Sequence, residues 1–146
     1  MGFILLTMKF KIALACFLMV LSIGIVSAES YMPQDGVFAF KEVENYTLNG
    51  FNFTILSSYD VLMENETHMA FEGDNNTLNI SVVDGGNITR VNSTANVTAS
   101  DTMLGSVEGY LVDRNGSYTF SFIENDKLIT VSSKDMTLMM GVIGKD

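Results

Sequence analysis

Leu104–Ser133 reads LGSVEGYLVDRNGSYTFSFIENDKLITVSS and carries its own register in two turn signals. Asn115-Gly116 suits the centre of a two-residue hairpin turn, where both residues need positive φ and Asn and Gly tolerate it. That turn pairs Arg114 with Ser117, Val112 with Thr119, Leu111 with Phe120 and Gly109 with Phe122. A second turn at Asn125-Asp126 pairs Glu124 with Lys127, Phe122 with Ile129 and Phe120 with Val131. The two turns independently place Leu111, Phe120 and Val131 in one cross-strand row, and Gly109, Phe122 and Ile129 in the next. The opposite face then carries Thr119 beside Ser132 and Ser121 beside Thr130. The stretch is a three-stranded meander with one apolar and one hydroxyl face. Gly109 opposite Phe122 suits an aromatic ring lying over bare backbone.

Outward from the meander, Lys41 to Leu56 gives another hairpin, around Asn49-Gly50. It pairs Leu48 with Phe51, Tyr46 with Phe53 and Glu44 with Ile55, so Phe51, Phe53 and Ile55 make an apolar face with Asn52 and Thr54 opposite. Phe38 and Phe40 alternate in the same way and extend the first strand or pad its edge. Ser57 to Glu66 fits a short helix or an irregular loop. Met69 to Glu72 and Thr77 to Val83 form a strand pair turned by residues 73–76, with Leu78, Ile80 and Val82 inward. Asp84-Gly85-Gly86-Asn87 breaks the run, and ITRVNSTANVTASDT is a loop or weak edge element. After Val131 the period changes: Asp135 caps a helix with Met136, Met139, Met140 and Ile143 at i, i+3, i+4 and i+7, a stripe that reads as core. The expected class is α+β: a mostly antiparallel twisted sheet of about five to seven strands, hairpin plus C-terminal meander, packed on a short C-terminal helix and preceded by an N-terminal signal or hydrophobic helix.

That N-terminal segment, residues 1–28, reads as a signal peptide. Ile12 to Val26 is an uncharged apolar run behind Lys9 and Lys11, ending in Val26-Ser27-Ala28 with small residues at the cleavage positions. Met8 makes a better start than Met1, since MKFK is the more basic opening. An uncleaved anchor is the alternative, although Ile12 to Ala28 is at the short end for spanning a bilayer. A lipoprotein site at Cys16 is rejected, because cleavage there would leave FLMVLSIGIV at the new terminus. Residues 29–36 read as a tether and 37–146 as a single domain. Without Lys9 and Lys11, the remaining 6 of 8 Lys and Arg face 17 Asp and Glu, a net charge of −11. Such a surface disfavours nucleic acid and anionic membranes as partners. Cys16 is the one cysteine, so the exported domain must hold together by its core alone.

The strongest chemical signal is the Asn-x-Ser/Thr sequon. It occurs at Asn45, Asn52, Asn65, Asn75, Asn79, Asn87, Asn92, Asn96 and Asn115, nine of the twelve asparagines. Ser and Thr fill 22 of the 118 positions after residue 28, so chance alone gives about two. Alternating polar residues on strand faces generate such spacings freely, which accounts for Asn52 and Asn79 but not for the loop positions. N-glycosylation of several sites is the expectation. Nucleophilic catalysis has little support, since His68 is the one possible imidazole base and reads as a surface residue. One His and no thiolate cannot close a zinc site. The oxygen-rich loops 72–76 and 84–87 lack the alternating ligand spacing of a calcium loop. No carboxylate pair is singled out for glycoside chemistry. No catalytic, cofactor-binding or metal residue is assigned, and no cofactor is expected.

The succession of NGFNFTI (49–55), LNISVVD (78–84), VEGYLVDRNGSYTFSFIENDKLITVSSKD (107–135) and an apolar helix behind a signal peptide resembles small exported proteins of methanogenic archaea, mostly of unknown function. More loosely it is similar to PsbP-type α+β sandwiches, although Leu56-Ser57-Ser58 stands where that pattern has a Pro-Glu/Asp-Gly turn. Neither resemblance implies a catalytic residue. The reading is an exported, N-glycosylated, non-enzymatic secreted or cell-surface domain. Its role is binding or envelope structure, its partner an unidentified protein or envelope component, with the membrane touched only through an uncleaved N-terminus. The alternative is a small extracellular hydrolase or ligand-binding protein using a cleft between sheet and helix.

Overall fold

The computed structural model describes residues 29–32, 37–39 and 41–143. The expected signal peptide lies outside the described residues, as do Phe40 and residues 33–36 of the expected tether; residues 29–32 of that tether form a strand. The chain parts into two compact units, Met1–Ser30 and Tyr31–Asp146, and all the described residues except Glu29 and Ser30 belong to the second.

Among the described residues the elements run β1 (Glu29–Met32), β2 (Lys41–Leu48), β3 (Phe51–Leu56), β4 (Asp60–Glu64), β5 (His68–Gly73), β6 (Asn76–Asp84), β7 (Val97–Leu104), β8 (Val107–Arg114), β9 (Ser117–Glu124), β10 (Lys127–Ser133) and α1 (Met136–Ile143). They make two sheets, one of order β1-β2-β3 and one of order β4-β5-β6-β10-β9-β8-β7. The mostly antiparallel class and the short closing helix are as expected. The larger sheet has seven strands, within the expected five to seven, but the Asn49-Gly50 hairpin is not part of it: with β1 it makes a second sheet.

Among the described residues four turns have positive φ at both central residues: Asn49-Gly50 (47° and 83°), Asp74-Asn75 (52° and 60°), Asn115-Gly116 (54° and 86°) and Asn125-Asp126 (55° and 62°). Such turns match the twist of their flanking strands and so set the register. The expected pairs are present: Leu111 with Phe120, Phe120 with Val131, Phe122 with Ile129, and Tyr46 with Phe53. On the hydroxyl face, Thr119 Oγ1 lies 3.2 Å from Ser132 Oγ and Ser121 Oγ lies 3.3 Å from Thr130 Oγ1.

One segment differs from expectation. Ser57 to Glu66 is neither helix nor irregular loop: after a short turn it forms β4, an edge strand bonded to β5. A register shift between Val61 and Met63 breaks the period, and all five residues are exposed, so no alternation of apolar residues marks the strand. ITRVNSTANVTASDT takes the edge-element alternative: it contains most of β7, an edge strand of eight residues paired along its length with β8.

The core forms where the two sheets meet. Phe51 stands 6.1 Å from Phe122 and Phe53 stands 6.1 Å from Phe71, both edge-to-face, the favourable arrangement for rings with negative faces and positive edges. Helix α1 contacts both β10 and β3. Asp135 Oδ1 accepts the Leu138 N–H at 3.2 Å, the expected N-cap. Of the methionine stripe, Met139 and Ile143 are buried, while Met136 and Met140 flank the core and Leu138 and Val142 fill it instead. A helix touching two sheets buries a face wider than one stripe. Gly141 rests on the Phe38 ring, which a Cβ there would strike, so Phe38 packs under the helix.

The hydroxyl face is not fully open. The connection from β6 to β7 crosses it, and Tyr110 Oη both donates to Val91 O and accepts from Val91 N at 3.0 Å. Arg90 sits 4.7 Å from the Tyr110 ring centroid and pairs with Asp101 at 2.9 Å. Tyr110 and Val112, on the side expected to be polar, are both buried.

Candidate glycan-bearing surface

All nine sequon asparagines are exposed. Asn45 and Asn52 lie on β2 and β3, on the face opposite the buried Leu48, Phe51, Phe53 and Ile55, and so face outward from the three-stranded sheet. Asn79 lies midway along β6 between the buried Leu78 and Ile80. Asn75 and Asn115 stand at hairpin tips, with φ of 60° and 54°. Asn65 lies in the turn between β4 and β5, and Asn87, Asn92 and Asn96 lie on the crossing connection.

The hydrogen bonds sort the asparagines by which side-chain atom the fold uses. Asn45 Oδ1 accepts from Thr54 Oγ1 at 2.8 Å, and Asn52 Oδ1 accepts from Thr47 Oγ1 at 2.7 Å. Thr47 completes the Asn45 sequon and Thr54 the Asn52 sequon, so each sequon's hydroxyl is bonded to the other's asparagine. Asn65 Oδ1 accepts the N–H groups of Thr67 at 3.0 Å and His68 at 2.9 Å, with Thr67 Oγ1 at 3.5 Å. Its Nδ2 makes a 3.9 Å contact with Met63 Sδ. In all three the oxygen is engaged. The Nδ2 atoms of Asn45 and Asn52 make no hydrogen bond among the described residues.

Two asparagines outside sequons do the reverse. Asn49 Nδ2 donates to Val82 O at 3.0 Å and Asp84 Oδ1 at 3.1 Å, tying the first hairpin to β6. Asn76 Nδ2 donates to Ser133 Oγ at 2.9 Å. Asn49 was legible only as a turn residue, because its partners lie more than thirty positions away.

Tyr46, the middle residue of the Asn45 sequon, stacks on Phe53 and meets Phe71 edge-on at 5.0 Å. Its hydroxyl donates to Glu44 Oε1 at 2.9 Å. Burial, and then the bond to Glu44, push the phenol up to about 12. With the folded value above the unfolded one, this group's stabilisation is complete below the ordinary value of 10.0 and drains away as pH rises towards 12. Stability of Tyr46→Phe, followed by urea unfolding across that window, is expected to fall less steeply than in the parent. Tyr59, also raised by burial, retains part of the slope. Equal slopes would refute the assignment.

The other constellations resolve into structure. His68 is exposed, its Nδ1 2.8 Å from Thr67 Oγ1, beside a shallow trough lined by Met63, Asn79, Ser81, Thr130 and Ser132. That trough brings no carboxylate to the imidazole. Asp84 Oδ1 is held by Lys127 Nζ at 2.7 Å and by Asn49, which together keep its carboxyl below the usual range. Asp74-Asn75 closes a tight turn. Among the described residues no group of three His, Cys, Asp or Glu side chains could hold a metal ion. No protein-family model matches the chain, and neither a curated protein nor a solved structure is found to match it.

Proposed function

We propose that this chain is an exported, N-glycosylated, non-enzymatic domain of the cell surface or secreted fraction, with a binding or envelope-structural role. One observation carries the reading. The sequon asparagines are all exposed, and where the fold bonds Asn45, Asn52 and Asn65 it engages their Oδ1. Asn49 and Asn76, outside sequons, commit Nδ2 to the fold instead. A glycan replaces one hydrogen on Nδ2 and leaves Oδ1 able to accept, so sugars at Asn45, Asn52 and Asn65 are compatible with the hydrogen bonds already made there. The acidic surface and the signal-peptide pattern support export, and the partner is a protein or envelope component. Peptide mass spectrometry of the protein from its native cell is expected to find sugar on several of the nine asparagines. Nine unmodified peptides would overturn the proposal.

A further inference from the structure

We infer that the nine sequons fall into two classes in time: Asn45, Asn52 and Asn79 accept sugar only before the domain folds, and the six turn and loop sites also accept it afterwards. The inference rests on the glycosylation reading above and concerns how the sugar arrives. In the transfer, asparagine Nδ2 attacks the anomeric carbon of a sugar carried on a lipid phosphate. The nitrogen–carbon bond forms, the carbon–oxygen bond to phosphate breaks, the lipid phosphate leaves, and the amide proton passes to a base. The transferase must hold this nitrogen and read the hydroxyl two residues on at the same moment.

In a strand that demand is hard to meet. Same-face residues i and i+2 stand about 6.6–6.8 Å apart and cannot be bent together while the ladder holds. In β2–β3 both hydroxyls are also occupied, Thr47 by Asn52 and Thr54 by Asn45. Freeing them means opening a hairpin whose other face buries Leu48, Phe51, Phe53 and Ile55. Asn79 is fixed in the same way, because β6 is bonded to β5 on one side and β10 on the other, as β2 is to β1 and β3. Core strands open only at free energies approaching global unfolding. Asn65, by contrast, already holds its own Thr67 hydroxyl 3.5 Å from Oδ1 in a local turn. Asn75 and Asn115 sit at tips, and Asn87, Asn92 and Asn96 lie outside any strand.

The test uses unglycosylated full chain made in a host without the pathway, offered to membranes of the native cell containing its transferase and lipid-linked sugar. One portion is offered folded and another after tryptic digestion, and site occupancy is read by mass spectrometry. In the folded chain, Asn45, Asn52 and Asn79 are expected at least about tenfold below their occupancy in the digest, the suppression set by the cost of opening. The turn and loop sites are expected to be modified in the folded chain. Equal occupancy of the three strand sites in both portions overturns the two-class inference while leaving glycosylation standing. Sugar on no site in either portion overturns the glycosylation reading itself.

Discussion

Phe71→Ala is expected to cost about 3–5 kcal/mol, a large share of the roughly 5–15 kcal/mol that holds a small domain together. Phe71 is fully buried on β5 and links the two sheets, meeting Tyr46 at 5.0 Å and Phe53 at 6.1 Å, both edge-to-face. Truncation removes the transfer energy of the ring, leaves a cavity between two sheets that cannot collapse independently, and takes one edge-to-face contact from each of Tyr46 and Phe53, which keep their stack on each other. With Cys16 the one cysteine in the chain, no disulfide compensates. Urea unfolding should show a much lower midpoint with little change in slope, and Phe71→Leu a smaller loss. A loss under about 1 kcal/mol for the alanine variant would mean that the sheets are not locked through this ring.

Gly109→Ala is the second large effect, expected at about 2–3 kcal/mol although it adds a single methyl group. The new Cβ would strike the Phe120 ring and lie 2.6 Å from Ser121 O. Phe120 is fully buried and has nowhere to swing. The ring over Gly109 is therefore that of Phe120, diagonal to it, and not the Phe122 ring expected from the pairing arithmetic. A double variant, Gly109→Ala with Phe120→Leu, should recover only part of the loss, because the backbone oxygen remains. Full recovery would show that only the ring enforces the glycine.

The correction at Gly109 illustrates what the sequence could carry. Pairing follows from turn chemistry, so the rows through Leu111, Phe120 and Val131 were readable from two dipeptides. Where a ring leans depends on rotamer and on the sheet above, and neither is encoded locally. The same division holds elsewhere. Asp135 as a cap was legible because it acts on Leu138, three residues away. The strap of Tyr110 over Val91 was not, because it spans nineteen residues through a connection with no period of its own. β4 was missed because a bulge and full exposure erase the alternation that identifies a strand. For the candidate surface, the sequons themselves were readable as a motif. The choice of Oδ1 or Nδ2 at Asn45, Asn49 and Asn52 was not, since cross-strand and cross-sheet partners decide it.

The order of the seven-stranded sheet also bears on how fast its parts can assemble. β4 with β5, β5 with β6, and β7 through β10 pair with sequence neighbours through short turns, and hairpins of that kind close in about 1–10 μs. The pairing of β6 with β10 is different, for Lys127 and Asp84 are separated by 43 positions. Closing that loop carries an entropic cost that the local hairpins avoid, and it makes the β6–β10 seam the late, non-local event in building the sheet. A chain emerging from its N-terminus can complete the β2–β3 hairpin as soon as Leu56 has passed. β6 must wait with one edge bare until the final strand arrives.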